Sequence, residues 1–192
     1  MENNELQEAV RVLSDAMLDA KLHVAVLLGC GEKQYREIKR MFTNLFTSLP
    51  GIIFLAKEKQ QIVGVMRMKS CPGFKPVAGP QDPPKDPEDE TDIEWRKSVW
   101  QSEWARHEPE GQHWHLGPIG VLPSYQGTGI GSELMARFCR EVDACGADAY
   151  LETDVDKNVR FYEKFGFSVI DDSEIFSVKN RYMFRPRNVK PE

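Results

Sequence analysis

The 192-residue chain predicts an α/β (α+β) fold, with a mixed central sheet and helices on both of its faces. Three observations carry this expectation. Apolar residues recur at three- and four-residue spacing in several stretches, others alternate with period two, and the two kinds of stretch interleave along the chain. The length suits a single domain, 1–192, able to bury a core without disulfides or a structural metal. A formal charge of −5 argues against general nucleic-acid or anionic-membrane binding and favours a cationic partner. The four cysteines, Cys30, Cys71, Cys139 and Cys145, have no C-x-x-C spacing. Apolar runs fall well short of the roughly 20 residues that a membrane span needs, and the polar start lacks the basic stretch of a signal peptide. The expectation is a reduced, cytoplasmic protein, monomeric or homodimeric.

Taken in order, Leu6, Val10, Leu13 and Met17 share one helical face. Tyr35, Ile38, Met41, Phe42, Leu45 and Phe46 mark a second helix before Pro50. Residues 22–28 between them read as either a short strand or a helix, because periodicity does not decide short apolar runs. Residues 52–57 and 62–69, separated by polar residues 58–61, read as an antiparallel hairpin. Residues 71–92 gather Pro72, Pro76, Pro80, Pro83, Pro84 and Pro87 with acidic Asp89 and Glu90. No packed element can be built from that composition, so it is an insert, either functional or disordered.

A helix over residues 93–107 follows, with Trp95, Trp100 and Trp104 read as packing on the domain in preference to caging a ligand. Residues 113–121 return to strand. After a glycine-rich turn, Ile130, Leu134, Met135, Phe138, Cys139 and Val142 form one helical face, ended by Gly146. Residues 149–152 are a strand, and 158–165 a short helix stopped by Gly166. Residues 167–170 and 175–184 supply two closing strands.

The glycine-rich turn carries the clearest chemistry. Without a Cβ, Gly127, Gly129 and Gly131 let a ligand reach the backbone. The first amides of a helix have no intrahelical acceptor and can donate to an anion. Gln126, Gly127, Thr128, Gly129, Ile130, Gly131 and Ser132 thus read as a phosphate cradle. In context, V-x-P-x-x-Q-G-x-G-I-G over residues 121–131 resembles motif A of the GNAT superfamily of acyl-CoA-dependent N-acetyltransferases, where Gln126, Gly129 and Gly131 match Gln/Arg-x-x-Gly-x-Gly/Ala. Residues 151–167, LETDVDKNVRFYEKFGF, resemble motif B. There Asn158 precedes Phe161, Tyr162, Gly166 and Phe167, one residue tighter than the commonest spacing. Within the superfamily, HWHLGPIGVLP and NVRFYEKFGF look most similar to the group that contains puromycin N-acetyltransferase.

The resemblance implies a mostly antiparallel sheet with a splayed strand pair holding acyl-CoA. It implies acetyl-CoA as cosubstrate, no metal, and direct attack by a primary amine of a small molecule, or of a protein or peptide, in a ternary complex. On the same ground, the backbone amides of Ile119, Gly120 and Val121 would face the pantetheine and thioester, and Asn158 would contact the pantetheine arm, with Phe161 beside it in the motif. Tyr162 would lie near the sulfur as general acid. Gly117, Pro118 and Gly120 are poor ladder residues, which predicts a bulge.

His115 occupies a position where several family members carry a glutamate. Its intrinsic pKa near neutrality suits a general base, with a purely structural histidine as the alternative. His113 and His115 form an H-x-H pair, but no carboxylate or cysteine at ligand spacing completes a metal site. Glu152 and Asp154 would bind the cationic amine, relay its proton, or cap the next helix. Two rivals stand beside this reading. Gly127-x-Gly129-x-x-Ser132 nearly matches the G-x-G-x-x-G of a dinucleotide-binding oxidoreductase, but too few residues follow Asp154 to complete a doubly wound sheet. A non-catalytic acyl-CoA-binding sensor on the same fold would not need Tyr162.

Overall fold

The computed structural model describes residues 3–73 and 91–187, and most of the proline-rich insert read at 71–92 lies outside them. Six strands form one sheet: β1 (Ile52–Glu58), β2 (Gln61–Cys71), β3 (His113–Val121), β4 (Asp148–Thr153), β5 (Ser168–Ile175) and β6 (Val178–Arg185). Their spatial order is β1-β2-β3-β4-β6-β5. β3 and β4 run parallel and the other neighbouring pairs antiparallel, so the sheet is mixed and mostly antiparallel, as expected. Covering it are α1 (Asn3–Met17), α2 (Lys21–Leu27), α3 (Glu32–Ser48), α4 (Ile93–His107), α5 (Ile130–Ala144) and α6 (Asp156–Glu163). Among the described residues, no helix is long and apolar enough to cross a membrane.

The two faces of the sheet divide the core. On one, Leu13 of α1, Val26 of α2, Ile38 of α3 and Trp100 of α4 pack with Ile62, Val63 and Val65. On the other, Leu134, Met135 and Phe138 of α5 and Tyr162 of α6 pack with Met66, Met68, Leu151 and Met183. Fully burying each such side chain stabilises the fold by about 1.5–3 kcal/mol. Because both faces are covered, residues 62–68 of β2 are all buried. Their sequence is a near-continuous apolar run, broken by Arg67, in place of simple alternation.

Residues 22–28 resolve as helix α2 and αL Leu28, and the deciding partner is distant. The Leu22 N–H, a first-turn amide without an intrahelical acceptor, donates to Asp154 Oδ2 at 2.9 Å across 132 residues of sequence. Leu28 closes the helix in the left-handed region (φ 57°), and the Gly29 N–H donates to the Val24 carbonyl.

The closing hairpin differs from the sequence reading. β5 continues through residues 171–174, and the turn falls at Phe176 and Ser177, with φ of 48° and 63°. The acidic run resembles a loop in sequence, yet Asp172 lies opposite Arg181 and Glu174 opposite Lys179. Asp172 also pairs with Lys179. Such opposite-charge neighbours support a ladder, and charged side chains protect an edge strand from further pairing. Phe176 lacks the usual Gly or Asn of a positive-φ turn. Instead its ring packs at the core edge, with the Arg96 guanidinium 3.7 Å from its centroid.

Candidate active site

β3 and β4 pair only at their starts: His113 with Asp148, Trp114 with Ala149, His115 with Tyr150. Beyond that point β3 runs on to Val121 and β4 to Thr153 with no ladder between them. The divergence has a local cause on the other side of β3. Between the pairs Met68–Leu116 and Met66–Ile119, Gly117 and Pro118 together face the single residue Arg67. This is the expected bulge, and a bulge bends and over-twists its strand. A cleft of about 1330 Å³ opens there, lined by residues 116–121 of β3, residues 151–153 of β4, and Asn158, Phe161 and Tyr162 of α6.

The glycine turn borders the same cleft. Gly127 (φ 80°) and Gly129 (φ 100°) have backbone conformations that side chains disfavour, and a Cβ added at either would meet no atom within 4 Å. Gly131 differs, since a Cβ there would touch Phe161 Cζ at 3.8 Å and Val121 Cγ2 at 4.0 Å, ordinary packing distances. The turn is held by its own side chains: Gln126 Nε2 donates to the Val121 carbonyl at 3.2 Å, and Thr128 Oγ1 to the Tyr125 carbonyl at 2.7 Å.

Gln126, Gly127 and Gly131 line the cleft together with Ile119, Gly120 and Val121. Gly129 is the N-cap of α5, and Ser132 is exposed in its first turn. Thr128 and Ile130 instead face a smaller recess against the β1–β2 hairpin. At Gly120 a Cβ would lie 2.9 Å from Leu13 Cδ2 and 3.0 Å from Ala16 Cβ. That glycine therefore lets α1 cross β3 closely.

His115 is enclosed between two carboxylates. Its Nε2 meets Glu152 Oε2 at 2.8 Å, and its Nδ1 meets Glu108 Oε1 at 3.2 Å. Burial opposes charge on the ring, but Glu152, Cys71 and Glu108 outweigh it and hold the His115 pKa well above its ordinary value. Both ring nitrogens thus face carboxylates, and the shift favours the charged ring over the neutral one that a general base needs. His113 and His115 also hold Glu108 well below the carboxylate range despite its burial. Burial lowers the pKa of His113 while Cys71 and Glu108 raise it, to a net value of about 9.

Cys71 and Glu108 escaped the sequence reading, which found no cysteine or carboxylate at ligand spacing beside the H-x-H pair. Sheet register sets Cys71 opposite His113, and the chain leaving α4 brings Glu108 to both. Neither juxtaposition leaves a signal in local spacing.

Glu152 lines the cleft with its side chain only 3% exposed. Asp154 also borders it but is occupied as the remote cap of α2. The turn into α6 is instead braced by the Val155 N–H donating to Thr153 Oγ1 at 3.4 Å. Tyr162 is 6% exposed, and burial, then Asp154, push its hydroxyl above the ordinary phenol value. α4 packs its indoles as expected and also contributes to the cleft. Trp100 and Trp104, edge to face at 5.0 Å, line it with His23, whose ring lies 5.1 Å from Trp100. Trp95 packs against Phe176.

The sequence profile of the Acetyltransferase (GNAT) family matches residues 27–167, which span both splayed strands, the glycine turn and α6. Among solved structures, the chain is similar to a histone acetyltransferase HPA2 and related acetyltransferase from Corynebacterium glutamicum, at 16% identity and a TM-score of 0.69, covering 100% of this chain and 96% of that one. It is similar to a GNAT family acetyltransferase from Brucella melitensis in complex with acetyl-CoA, at 15% identity and a TM-score of 0.55, covering 100% and 88%. It is also similar to the PaiA N-acetyltransferase from Thermoplasma acidophilum in complex with coenzyme A, at 13% identity and a TM-score of 0.59, covering 97% and 95%. At these identities the likeness is one of fold. The family match over most of the chain goes further: the chain belongs to the GNAT family of acetyltransferases.

Proposed function

We propose that the chain transfers the acetyl group of acetyl-CoA to a primary amine of a small cationic molecule, by direct attack within a ternary complex. The observation that carries this reading is the gap between β3 and β4. It leaves β3 without a β4 partner beyond His115, and it adjoins the turn at 127–131, whose amides suit the pyrophosphate of a nucleotide thioester. Acetyl-CoA or coenzyme A in the Brucella and Thermoplasma proteins supports the same occupant. The likeness of HWHLGPIGVLP to the puromycin N-acetyltransferase group supports a small acceptor over a protein or peptide. Free cysteines agree with a cytoplasmic setting, and a single unit over 1–192, monomeric or homodimeric, suffices for the chemistry.

In this reading the amine nitrogen attacks the thioester carbonyl, and the amides of Ile119, Gly120 and Val121 steady the oxyanion. Tyr162 gives its proton to the sulfur as the C–S bond breaks. Glu152 takes the ammonium proton through water; a carboxylate has about four acceptor positions, so it can do this while holding His115 Nε2. His115 then orients Glu152. The nitrogen sheds its second proton through the same water once the C–N bond has formed, Glu152 passes its proton to solvent, and Tyr162 is reprotonated from solvent, so ammonium and acetyl-CoA give amide, coenzyme A thiol and one released proton. Trp100, Trp104 and Trp114 in the cleft wall, with Glu152 among them, suit a cation on a flat or apolar body.

The test is thiol release from acetyl-CoA across a panel of amines. The expected result is release with one or more cationic primary amines and none with matched alcohols. Acetyl-CoA binding with no amine-dependent release would favour the sensor, and stabilisation by NADH but not by acetyl-CoA would favour the redox enzyme.

A further inference from the structure

Beside the acetyl-transfer cleft lies a second constellation that the proposed chemistry does not use. Cys71 ends β2 directly opposite His113 at the start of β3, and Glu108 sits just past α4. The Cys71 thiol donates to Glu108 Oε1 at 3.1 Å. His113 Nε2 stands 3.6 Å from the same oxygen, beyond hydrogen-bond range. One donor atom from each of the three residues lies within 4.8 Å of the others. Atoms bound about 2.0–2.3 Å from a tetrahedral ion sit roughly 3.3–3.7 Å from one another, so a small contraction would close this set around a common centre.

The orientation of His113 supplies the independent pointer to a ligand. Its Nδ1 lies 2.7 Å from the Gly111 carbonyl, which can only accept, so Nδ1 carries a proton. Nε2 is left aimed at Cys71 and Glu108, on a residue 1% exposed, with no hydrogen-bond partner among the described residues. A ring nitrogen fixed by a backbone carbonyl on its far side is the usual outer-shell arrangement of a metal-binding histidine. A thiolate, an imidazole and a carboxylate together match a borderline-soft divalent ion. His115 Nδ1, 3.2 Å from Glu108 Oε1, would fill a fourth position on giving up its proton, while Nε2 keeps its contact with Glu152. Lys69 Nζ also reaches Glu108 Oε1 at 3.4 Å, from a side chain 38% exposed and long enough to swing to solvent.

We propose that Cys71, Glu108 and His113 form a zinc site that clasps the two ends of the 72–112 excursion to the sheet, behind the acceptor wall. The ion is structural and takes no part in acetyl transfer. Binding displaces the thiol proton and any proton on His113 Nε2, so zinc uptake releases acid.

The full chain, stripped with chelator and reloaded, tests this without reference to activity. In a Cys30→Ser/Cys145→Ser background that removes the two exposed thiols, one equivalent of zinc should bind. Cobalt(II) in its place should show a thiolate-to-metal charge-transfer band and the intense d–d bands of four-coordinate geometry. Loss of an outer-shell partner weakens metal sites about 10–100-fold, so loss of a ligand in Cys71→Ser or His113→Ala should weaken zinc by at least about 100-fold. Glu108→Gln, which keeps size and removes the anion, provides the same comparison should either variant fail to fold. Stoichiometric zinc undiminished in Cys71→Ser and Glu108→Gln, or cobalt bound without the charge-transfer band, would overturn the proposal. Neither outcome bears on acetyl transfer, which the amine panel decides separately.

Discussion

At the scale of single residues, Tyr162 most directly separates a catalyst from a binding protein. Tyr162→Phe keeps the ring in its packing against Phe161 and Phe167 and removes the proton needed only as the C–S bond breaks. kcat and kcat/KM should fall together by about a hundredfold, about 2.7 kcal/mol of barrier, with acetyl-CoA affinity unchanged. Near-normal turnover would make Tyr162 a packing residue. The cradle admits a similarly clean test at Gly131. Its backbone is not in the positive-φ region, and an added Cβ meets only ordinary contacts, so Gly131→Val should keep the unliganded melting temperature and weaken acetyl-CoA at least about tenfold. Gly129→Val is the poorer probe, because φ of 100° strains any side chain there. These residues were legible in the sequence because their chemistry is local: glycines at alternate positions before a helix, then Asn158 and Tyr162 four apart on the next one. Glu108, Cys71 and the state of His115 were not, since each depends on strands and a helix end brought together from distant sequence.

At the scale of elements, α2 shows why periodicity left residues 22–28 open. A seven-residue helix is too short to sustain itself; its first turn is capped by Asp154 across the cleft, and its last carbonyls accept from Gln34 and Arg96. Asp154→Ala should therefore destabilise the protein by about 0.5–2 kcal/mol, lowering Tm by roughly 2–4 °C per kcal/mol. Asp154→Asn, which retains an acceptor oxygen, should recover most of that loss in the same melting measurement. Equal losses in both variants would mean that the carboxylate's charge matters more than its capping geometry. The β5–β6 hairpin was misread for a related reason. Residues 171–174 are acidic like a loop, and only the facing Lys179 and Arg181 make them a strand. The long amphipathic helices α1, α3 and α5 and the hairpin β1–β2, by contrast, carry their periodicity within themselves and were read directly.

At the scale of the whole molecule, the mostly antiparallel sheet and the splayed strand pair followed from the family resemblance and not from residue patterning, and the spatial strand order was not legible at all, because register across a sheet is a property of partners. The global quantity that tests the assembled cleft is stability against pH, and His23 is the group that reports on it. The ring is packed between Phe42 and Trp100. Burial, opposed by Asp154, draws its pKa from 6.5 down to about 4. Between those values the unfolded chain binds a proton that the folded chain refuses. The contribution of the neutral ring is therefore complete above about pH 6.5 and is lost as pH falls towards about 4. A shift of this size corresponds to at most about 3 kcal/mol. The ring borders the cleft and is only partly covered, so about 2 kcal/mol is the expected loss. Other groups also titrate on acidification, so the informative quantity is a difference. His23→Phe preserves a flat ring between the same neighbours but cannot take up a proton. Urea midpoints for the two proteins at pH 7 and pH 4.5, converted with a common m-value, should show the wild type losing about 2 kcal/mol more than His23→Phe over that interval. Parallel losses would place the His23 proton in solvent contact in the folded state, and the aromatic wall of the cleft would then be more open than its packing indicates.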